Sequence, residues 1–359
     1  MNSSREKVFI INLPPDESLQ LINEKVQKVL RSENLLGFVN RQDWVAVKTH
    51  FGEEKTRGFI PPVFFKMIRE ELVRQGARPF LTETATLYKG RRSQAPDHIK
   101  LAQDHGFTVR NTGLPIIMAD GLLGDEEVSV EIPGKHYRKV NIAALFQKVQ
   151  GVVLVSHFTG HIQTGYGAAI KNMGMGCASR KGKMEQHSSM NPRIDLSRCT
   201  GCMDCASWCP VEAISEHQGK ARIDRETCYG CGQCLVVCRF DAVGYNWGKG
   251  IRQLQESCVE YALGLYHLLK GKMIFINFLT RITKDCDCMR GKYQPVTDDI
   301  GVLLSRDPAA IDAASIDLVM KRSGGKFRKN SYDIDSHFQI DHCRRLKFGN
   351  PDYQLLDRS

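Results

Sequence analysis

Residues 44–83 read WVAVKTHFGEEKTRGFIPPVFFKMIREELVRQGARPFLTE, and this stretch decides the fold class. Trp44–Thr49 is an apolar, β-branched run and predicts a buried strand. Pro61-Pro62 makes a good helix start, helical spacing continues to Gln75, and Gly76 sits where that helix should stop. Phe80–Thr82 then predicts a second strand. Strand, helix, strand is the repeating unit of a parallel sheet, because a parallel neighbour needs a long crossover.

The pattern continues outward. Val8–Asn12 and Gly151–Ser156 read as buried strands, Phe107–Arg110 as another, and Asp16–Leu30 and Gln94–His105 as helices, the latter stopped by Gly106. Further on, Ile251–Leu269 is helical, Met273–Leu279 and Ile300–Leu304 are strands, and Asp307-Pro308 opens a helix to about Lys321. The expected fold is therefore α/β, a mainly parallel sheet with helices on both faces. Its body comprises residues 1–189 and 247–359, with residues 190–246 inserted as a small α+β unit. Separate N- and C-terminal domains are the alternative, but the C-terminal part has only two clear strands, a poor sheet by itself.

Composition is that of an ordinary globular protein: 359 residues, 42% hydrophobic and 25% charged, which excludes disorder, a collagen-like chain and a single coiled coil. No apolar run reaches the roughly 18 residues of a membrane span, and MNSSREKVFIIN lacks the apolar block of a secretory signal. A cytoplasmic protein with no membrane span is expected.

Thirteen cysteines are the anomaly. Cys199-x2-Cys202-x2-Cys205-x3-Cys209 recurs as Cys228-x2-Cys231-x2-Cys234-x3-Cys238, offset by 29 residues, and Arg193-Ile194-Asp195 recurs as Arg222-Ile223-Asp224. Each unit reads as strand, cysteine loop, short helix and strand. Three thiols on a tight loop grip three corners of an iron–sulfur cube if the loop curls, and Gly201, Gly230 and Gly232 permit that curl. The spacing and Pro210 resemble the bacterial-type two-cluster ferredoxin domain, although Arg239 stands where the family has a second proline. In that family the fourth Cys reaches the other cube. The resemblance implies two [4Fe–4S] clusters, one on Cys199, Cys202, Cys205 and Cys238, the other on Cys228, Cys231, Cys234 and Cys209. Paired zinc ribbons are the competing reading, but zinc has no use for a third Cys two residues further on.

In open α/β sheets, ligands bind at the carboxyl ends of the strands. Following those ends in the sequence gives His50, Glu83, His157 and His161, the Cys286-Asp287-Cys288 loop, and Asp307. The segment Gly160–Cys177 is rich in glycine and carries Lys171; Arg180, Lys181, Lys183 and His187 follow it. Neither Walker A nor GxGxxG spacing is present, so a standard nucleotide loop is excluded. Backbone amides and cations there favour a small anionic ligand. The candidate pocket is His50, His157, His161, Lys171, Lys183, His187, Cys177, Cys286, Cys288 and Asp307. The thiols Cys177, Cys286 and Cys288 leave open a further metal, an anionic cofactor or redox chemistry, with free thiols in a reducing cell as the competing reading, whereas Cys258 and Cys343 read as inert.

Taken together, HFTGHIQTGYGAAIKNMGMGCASRKGK, KTHFGE, DCDC and DPAAIDAASIDL resemble a family of uncharacterised iron–sulfur centre proteins. There, a domain of unknown function carries an inserted two-cluster ferredoxin. A second likeness is in spacing: His161 precedes Lys171 by ten residues and His187 follows it by sixteen, similar to nickel-pincer lactate racemases. That likeness implies a catalytic His, a cofactor-bearing Lys and a nickel-ligating His at these positions. The second catalytic His of those enzymes has no match here, and they lack a ferredoxin.

The net charge is +10, yet residues 195–241 carry seven acidic against five basic side chains. The basic body, with runs at Arg180–Lys183, Lys321–Lys329 and Arg344–Lys347, would attract an acidic ferredoxin or flavodoxin or a small anion. Nucleic acid is disfavoured, since no recognition motif accompanies the charge. The expected function is electron transfer through two clusters to an anionic substrate or cofactor at the sheet edge, a ferredoxin-linked oxidoreductase if the protein is an enzyme. A non-catalytic electron carrier or docking module, and a non-redox metal-dependent enzyme with structural clusters, are the alternatives.

Overall fold

The computed structural model describes residues 5–14, 18–187, 192–245, 250–289 and 293–359. Residue 16, where the first helix is expected to begin, and residues 190, 191 and 246, at the ends of the expected insertion, lie outside this range. Among the described residues the main element is a seven-stranded sheet. Its strands are β1 (Glu6–Asn12), β2 (Trp44–Lys48), β3 (Arg78–Thr82), β4 (Gly151–His157), β5 (Met273–Leu279), β6 (Gly301–Ser305) and β7 (Tyr353–Asp357). They lie in the order β7-β1-β6-β5-β4-β2-β3. The β5, β4, β2 and β3 run is parallel throughout, with Val153 opposite Ile274 and Val47 opposite Leu81. β7 is parallel to β1 as well. β6 alone is reversed: Leu304 faces Phe9 on one side and Ile276 on the other, both in antiparallel pairs. Strands from before and after the cysteine-rich segment share this one sheet.

The central strands are apolar at nearly every position because both faces are covered. Successive side chains point to opposite faces, so Val153, Val155, Ile274 and Ile276 enter one core while Val152, Leu154, Met273 and Phe275 enter the other. The first core packs against α1 (Leu19–Ser32), α2 (Phe64–Arg74) and α3 (Ala95–Asp104). The second packs against α6 (Ile251–Leu268) and α7 (Pro308–Arg322), with the short α4 (Ala169–Gly174) between them. Two smaller helices, α5 (Arg180–His187) and α8 (His337–Leu346), complete this layer. Each fully buried Val, Leu, Ile or Phe contributes about 1.5–3 kcal/mol.

Local signals act as their chemistry requires. Ser18 caps α1 by accepting from the Leu21 N–H at 3.2 Å. Asp307 caps α7 by accepting from the Ala309 and Ala310 N–H groups at 2.8 Å. Pro61-Pro62 forms a turn just ahead of α2, with Phe64 and Phe65 donating to their carbonyls at 3.0 Å. The expected strand at Phe107–Arg110 is corrected: Val109–Thr112 is a helical turn capped by Thr108. Phe107 is a buried plug, and the edge of β3 is met by Ile116 opposite Leu81 instead. The capping hydroxyl, with glycines at positive φ before and after, outweighs the β propensity of Phe and Val.

The cysteine repeat forms its own small layer. Arg193–Ile194 pairs antiparallel with Val243–Gly244, and Ile214–His217 with Lys220–Ile223. The duplication is exact enough to share hydrogen bonds at the 29-residue offset. Asp195 N–H donates to Ala242 O at 2.7 Å, and Asp224 N–H donates to Ala213 O at 2.8 Å. Each repeat is thus closed by the last strand of the other.

Gly174 marks the tightest helix crossing, since a Cβ there would lie 1.9 Å from Cys258 O and 2.8 Å from its carbonyl carbon. Gly174→Ala should therefore destabilise by about 1–3 kcal/mol through backbone displacement, read as a lower denaturation midpoint. Gly244→Ala, which meets no atom within 4 Å, is the control and should move the midpoint little.

Candidate functional site

The parallel run sends the carboxyl ends of β2, β3, β4 and β5 to one edge of the sheet, where a cavity of about 740 Å³ opens. His50, His157, His161, Lys171, Lys183, His187, Cys286 and Cys288 all line it. Two of the expected pocket residues do not. Asp307 follows β6, whose reversed direction delivers its carboxyl end to the opposite edge, and its carboxylate is occupied as a helix cap that also accepts from Asn350 N–H at 2.8 Å. Cys177 is fully buried beneath the site, with Sγ 3.6 Å from Asn172 O; burial pushes its thiol up to about 12. It packs in the core as a small apolar side chain.

The floor is a set of buried ion pairs. Lys48, at the end of β2, is fully buried and pairs with Glu83, which follows β3. Burial raises the Glu83 pKa, but Lys48 and the neighbouring cations outweigh it, so Glu83 stays below the usual carboxylate range. Lys48 also donates to Asn172 Oδ1 at 2.7 Å, and the Asn172 amide donates to Val155 O at 3.1 Å and Ser156 Oγ at 3.0 Å. α4 is thereby tied to both β2 and β4. Its start is held by Asp312 of α7, which accepts from the Ala169 and Ile170 N–H groups at 2.9 and 2.8 Å. Lys171 projects from the helix so anchored.

Lys183 donates to Thr84 Oγ1 at 2.8 Å and Ala178 O at 2.5 Å. Burial lowers its pKa to about 8, against the pull of Asp120 and Glu83. Burial, and after it Arg92, also hold His50 well below its ordinary value, so that imidazole is neutral; its buried Nε2 has no hydrogen-bond partner among the described residues.

The loop after β5 forms the opposite wall. Asp287 accepts from His157 Nδ1 at 2.7 Å while His157 Nε2 donates to Thr280 O at 2.7 Å. With an acceptor at each nitrogen the ring is an imidazolium: burial lowers its pKa, but Asp287 outweighs burial and the net shift is upward. Gly58 lets this carboxylate approach, since a Cβ there would lie 2.2 Å from Asp287 Oδ1. Arg92 pairs with Glu53 at 2.8 Å and donates to Cys288 O at 2.9 Å. Tyr88 OH donates to the same carbonyl at 2.6 Å.

Cys286 and Cys288 are presented from this clamped loop toward Lys171, whose Nζ lies 3.6 and 4.0 Å from their sulfurs. The hydrogen bond from Cys288 holds Cys286 below the ordinary thiol range; burial opposes this and Lys171 assists it. Cys288 is correspondingly pushed up, so the pair carries one thiolate and one thiol. His161 stands on the hairpin Thr159–His161 with Gly165–Gly167. Burial, then Lys171, lower its pKa well below the usual value. One ligand atom each from His161, Cys286 and Cys288 lies within 4.8 Å of the others.

The eight repeat cysteines gather in two sets. Cys199, Cys202, Cys205 and Cys238 line one small cavity with Ile194, Ala221 and Val243. Cys209, Cys228, Cys231 and Cys234 line a second with Ile214 and Ile223. Each set draws three sulfurs from one repeat and one from the other. Backbone amides donate to the sulfurs equivalently in both repeats, Ala213 N–H to Cys209 Sγ at 3.2 Å and Ala242 N–H to Cys238 Sγ at 3.3 Å. Gly201 adopts φ +75°, and a Cβ there would meet Gly219 O at 2.2 Å, so the curl of the first loop requires glycine.

This cysteine layer sits against the main cavity. Lys89, on the cavity wall, donates to Cys238 O at 3.4 Å. Arg180, fully buried, donates to Gln233 Oε1 at 2.8 Å and to carbonyls at Thr86 and Ser93. Lys48, Glu53 and Asn172 fall within the motifs KTHFGE and HFTGHIQTGYGAAIKNMGMGCASRKGK, and Glu53 follows a strand end, but none stood among the expected pocket residues; Tyr88 and Arg92 left no signal in the sequence.

No curated protein matches the chain. Among solved structures it is similar to the lactate racemase apoprotein from Thermoanaerobacterium thermosaccharolyticum, at 8% identity and a TM-score of 0.41 over 77% of this chain and 51% of that one. It is also similar to a protein from Thermotoga maritima, at 10% identity and a TM-score of 0.38 over 71% and 50%. The chain spans about half the length of these two structures. Residues 45–317 match the family described as Domain of unknown function (DUF362), and the chain belongs to that family.

Proposed function

We propose that this chain is an iron–sulfur redox protein that passes electrons to a small anionic molecule held in the cavity at the sheet edge. Cys199, Cys202, Cys205 and Cys238 would hold one [4Fe–4S] cluster, and Cys209, Cys228, Cys231 and Cys234 the other. The observation that carries this reading is the sorting of eight cysteines into two apolar cavities of four thiols each. The donor set suits the group: thiols are the ligands of such clusters, and amide N–H groups aimed at sulfur stabilise the reduced form. Asp204, beside the first cavity, is turned to Arg239 in an ion pair at 2.8 Å. When bound, the clusters would supply one-electron transfer.

The cavity residues would bind and orient the acceptor. Lys171 and Lys183 supply positive charge, with Lys183 near enough to neutrality to exchange a proton at Nζ. His161 and His50, both neutral, offer ring nitrogens for hydrogen bonds or proton transfer. The His157 imidazolium is committed to Asp287 and Thr280 O and fixes the wall. Lys89 bridges the two parts, lining the cavity while contacting the backbone of Cys238. The expected electron donor is an acidic ferredoxin or flavodoxin, attracted by the net charge of +10.

Anaerobic purification should yield about eight iron and eight acid-labile sulfide per chain; about two zinc with no sulfide overturns the cluster assignment. Lys183→Ala and His161→Ala should each weaken calorimetric binding of phosphate and small dicarboxylates by about tenfold or more, the loss of one hydrogen bond to a charged group. Their cluster EPR signals should be unchanged. If both variants bind these anions as the parent does, the anionic-acceptor reading fails and the docking-module reading replaces it.

A further inference from the structure

We propose that Cys286 and Cys288 form a redox-active dithiol–disulfide pair in the cavity wall that exchanges with small-molecule disulfides. The two sulfurs lie within 4.8 Å of each other on a tight turn closed by the Met289 N–H to Cys286 O bond at 2.9 Å. The Cys288 N–H also reaches Cys286 Sγ at 3.4 Å. Side-chain rotation with a small backbone adjustment closes the gap to the about 2.0 Å of an S–S bond. The turn is held from behind, by Asp287 on His157 and by Cys288 O on Tyr88 and Arg92, so both thiols face the cavity. Lys171, within 4.0 Å of both sulfurs, supplies the electropositive surroundings that a reactive thiolate needs.

The same two cysteines, with His161, also offer the geometry of a metal site, and two observations argue against it. The Lys171 ammonium already occupies the cation position beside both sulfurs. His161 Nδ1 accepts from the Gln163 and Thr164 N–H groups at 3.2 and 3.0 Å. That assigns the ring proton of neutral His161 to Nε2 and leaves no lone pair for a metal. The ammonium beside the dithiol stabilises a thiolate.

The exchange balances without any other cofactor. The Cys286 thiolate attacks one sulfur of a disulfide RSSR, forming a mixed disulfide and releasing RS⁻. The Cys288 sulfur then attacks Cys286 Sγ, its proton passing to a released thiolate, and the second R group departs. The pair loses two electrons, RSSR gains them, and RS⁻ and RSH leave the cavity. The step needs no iron, so its outcome is distinct from that of the cluster assignment.

The test is an anaerobic titration of the intact protein with fixed ratios of oxidised to reduced dithiothreitol, followed by alkylation and peptide mass analysis. Trypsin cuts after Lys284 and Arg290, placing both thiols in the single peptide 285–290. That peptide should convert to an internal disulfide as the ratio rises, while Cys177, Cys258 and Cys343 remain alkylatable after denaturation. Cys288→Ser should trap a glutathione adduct on Cys286 when treated with glutathione disulfide. Lys171→Met should slow adduct formation by about tenfold, and Lys171→Arg should restore most of it. Two thiols at the most oxidising ratio in the parent protein overturn the proposal. So does one equivalent of zinc retained by the parent and lost in Cys286→Ser, which would identify a metal site.

Discussion

A parallel sheet buried on both faces can express chemistry only at its strand ends, and this constraint governs the molecule. Between the faces, β2, β4 and β5 are almost wholly apolar and, apart from Trp44 and His157 at strand ends, buried. Polar side chains are pushed to the carboxyl edge, where they must satisfy one another because little water reaches them. The Lys48–Glu83 pair, the Arg92–Glu53 pair and the His157–Asp287 pair are the result. Each is held by burial and would be costly to leave half-made. The cavity is therefore walled by ion pairs that are internally neutral, with Lys171 and Lys183 set among thiols and hydroxyls instead.

Much of this was legible before the fold was known. The β2–α2–β3 segment, the long helix α6 and the strand β5 follow from periodicity that few alternatives can explain. The gathering of the repeat cysteines was legible because the same spacing recurs on two loops that glycines allow to curl. What escaped was directional. Nothing in Ile300–Leu304 shows that its strand runs backwards, since strand direction is decided by the connection and not by the run itself. Asp307 consequently changed edges. Cys177 escaped because a thiol after a glycine-rich segment looks like a ligand until its neighbours are known. β7 escaped because Tyr353–Asp357 is an edge strand held by β1 alone, with too little apolar content to stand out.

The joint between the cysteine layer and the body is built from a few buried polar contacts. Arg180 and Gln233 meet at its centre, and Gly232 allows the approach, since its Cβ would meet Met184 Cε at 3.0 Å. A long polar side chain fully buried between two layers fixes their register more sharply than an apolar contact does, because its donors accept only one arrangement. The family carries no assigned reaction, and among the described residues no helix is long and apolar enough to cross a membrane.

The exchange of closing strands between the two cysteine repeats has a consequence for how this segment tolerates change. Because Cys209 and Cys238 each line the cavity of the opposite repeat, damage to one copy is felt in both. Removing either repeat would take one wall residue from the cavity of the other, so the two repeats form one structural unit.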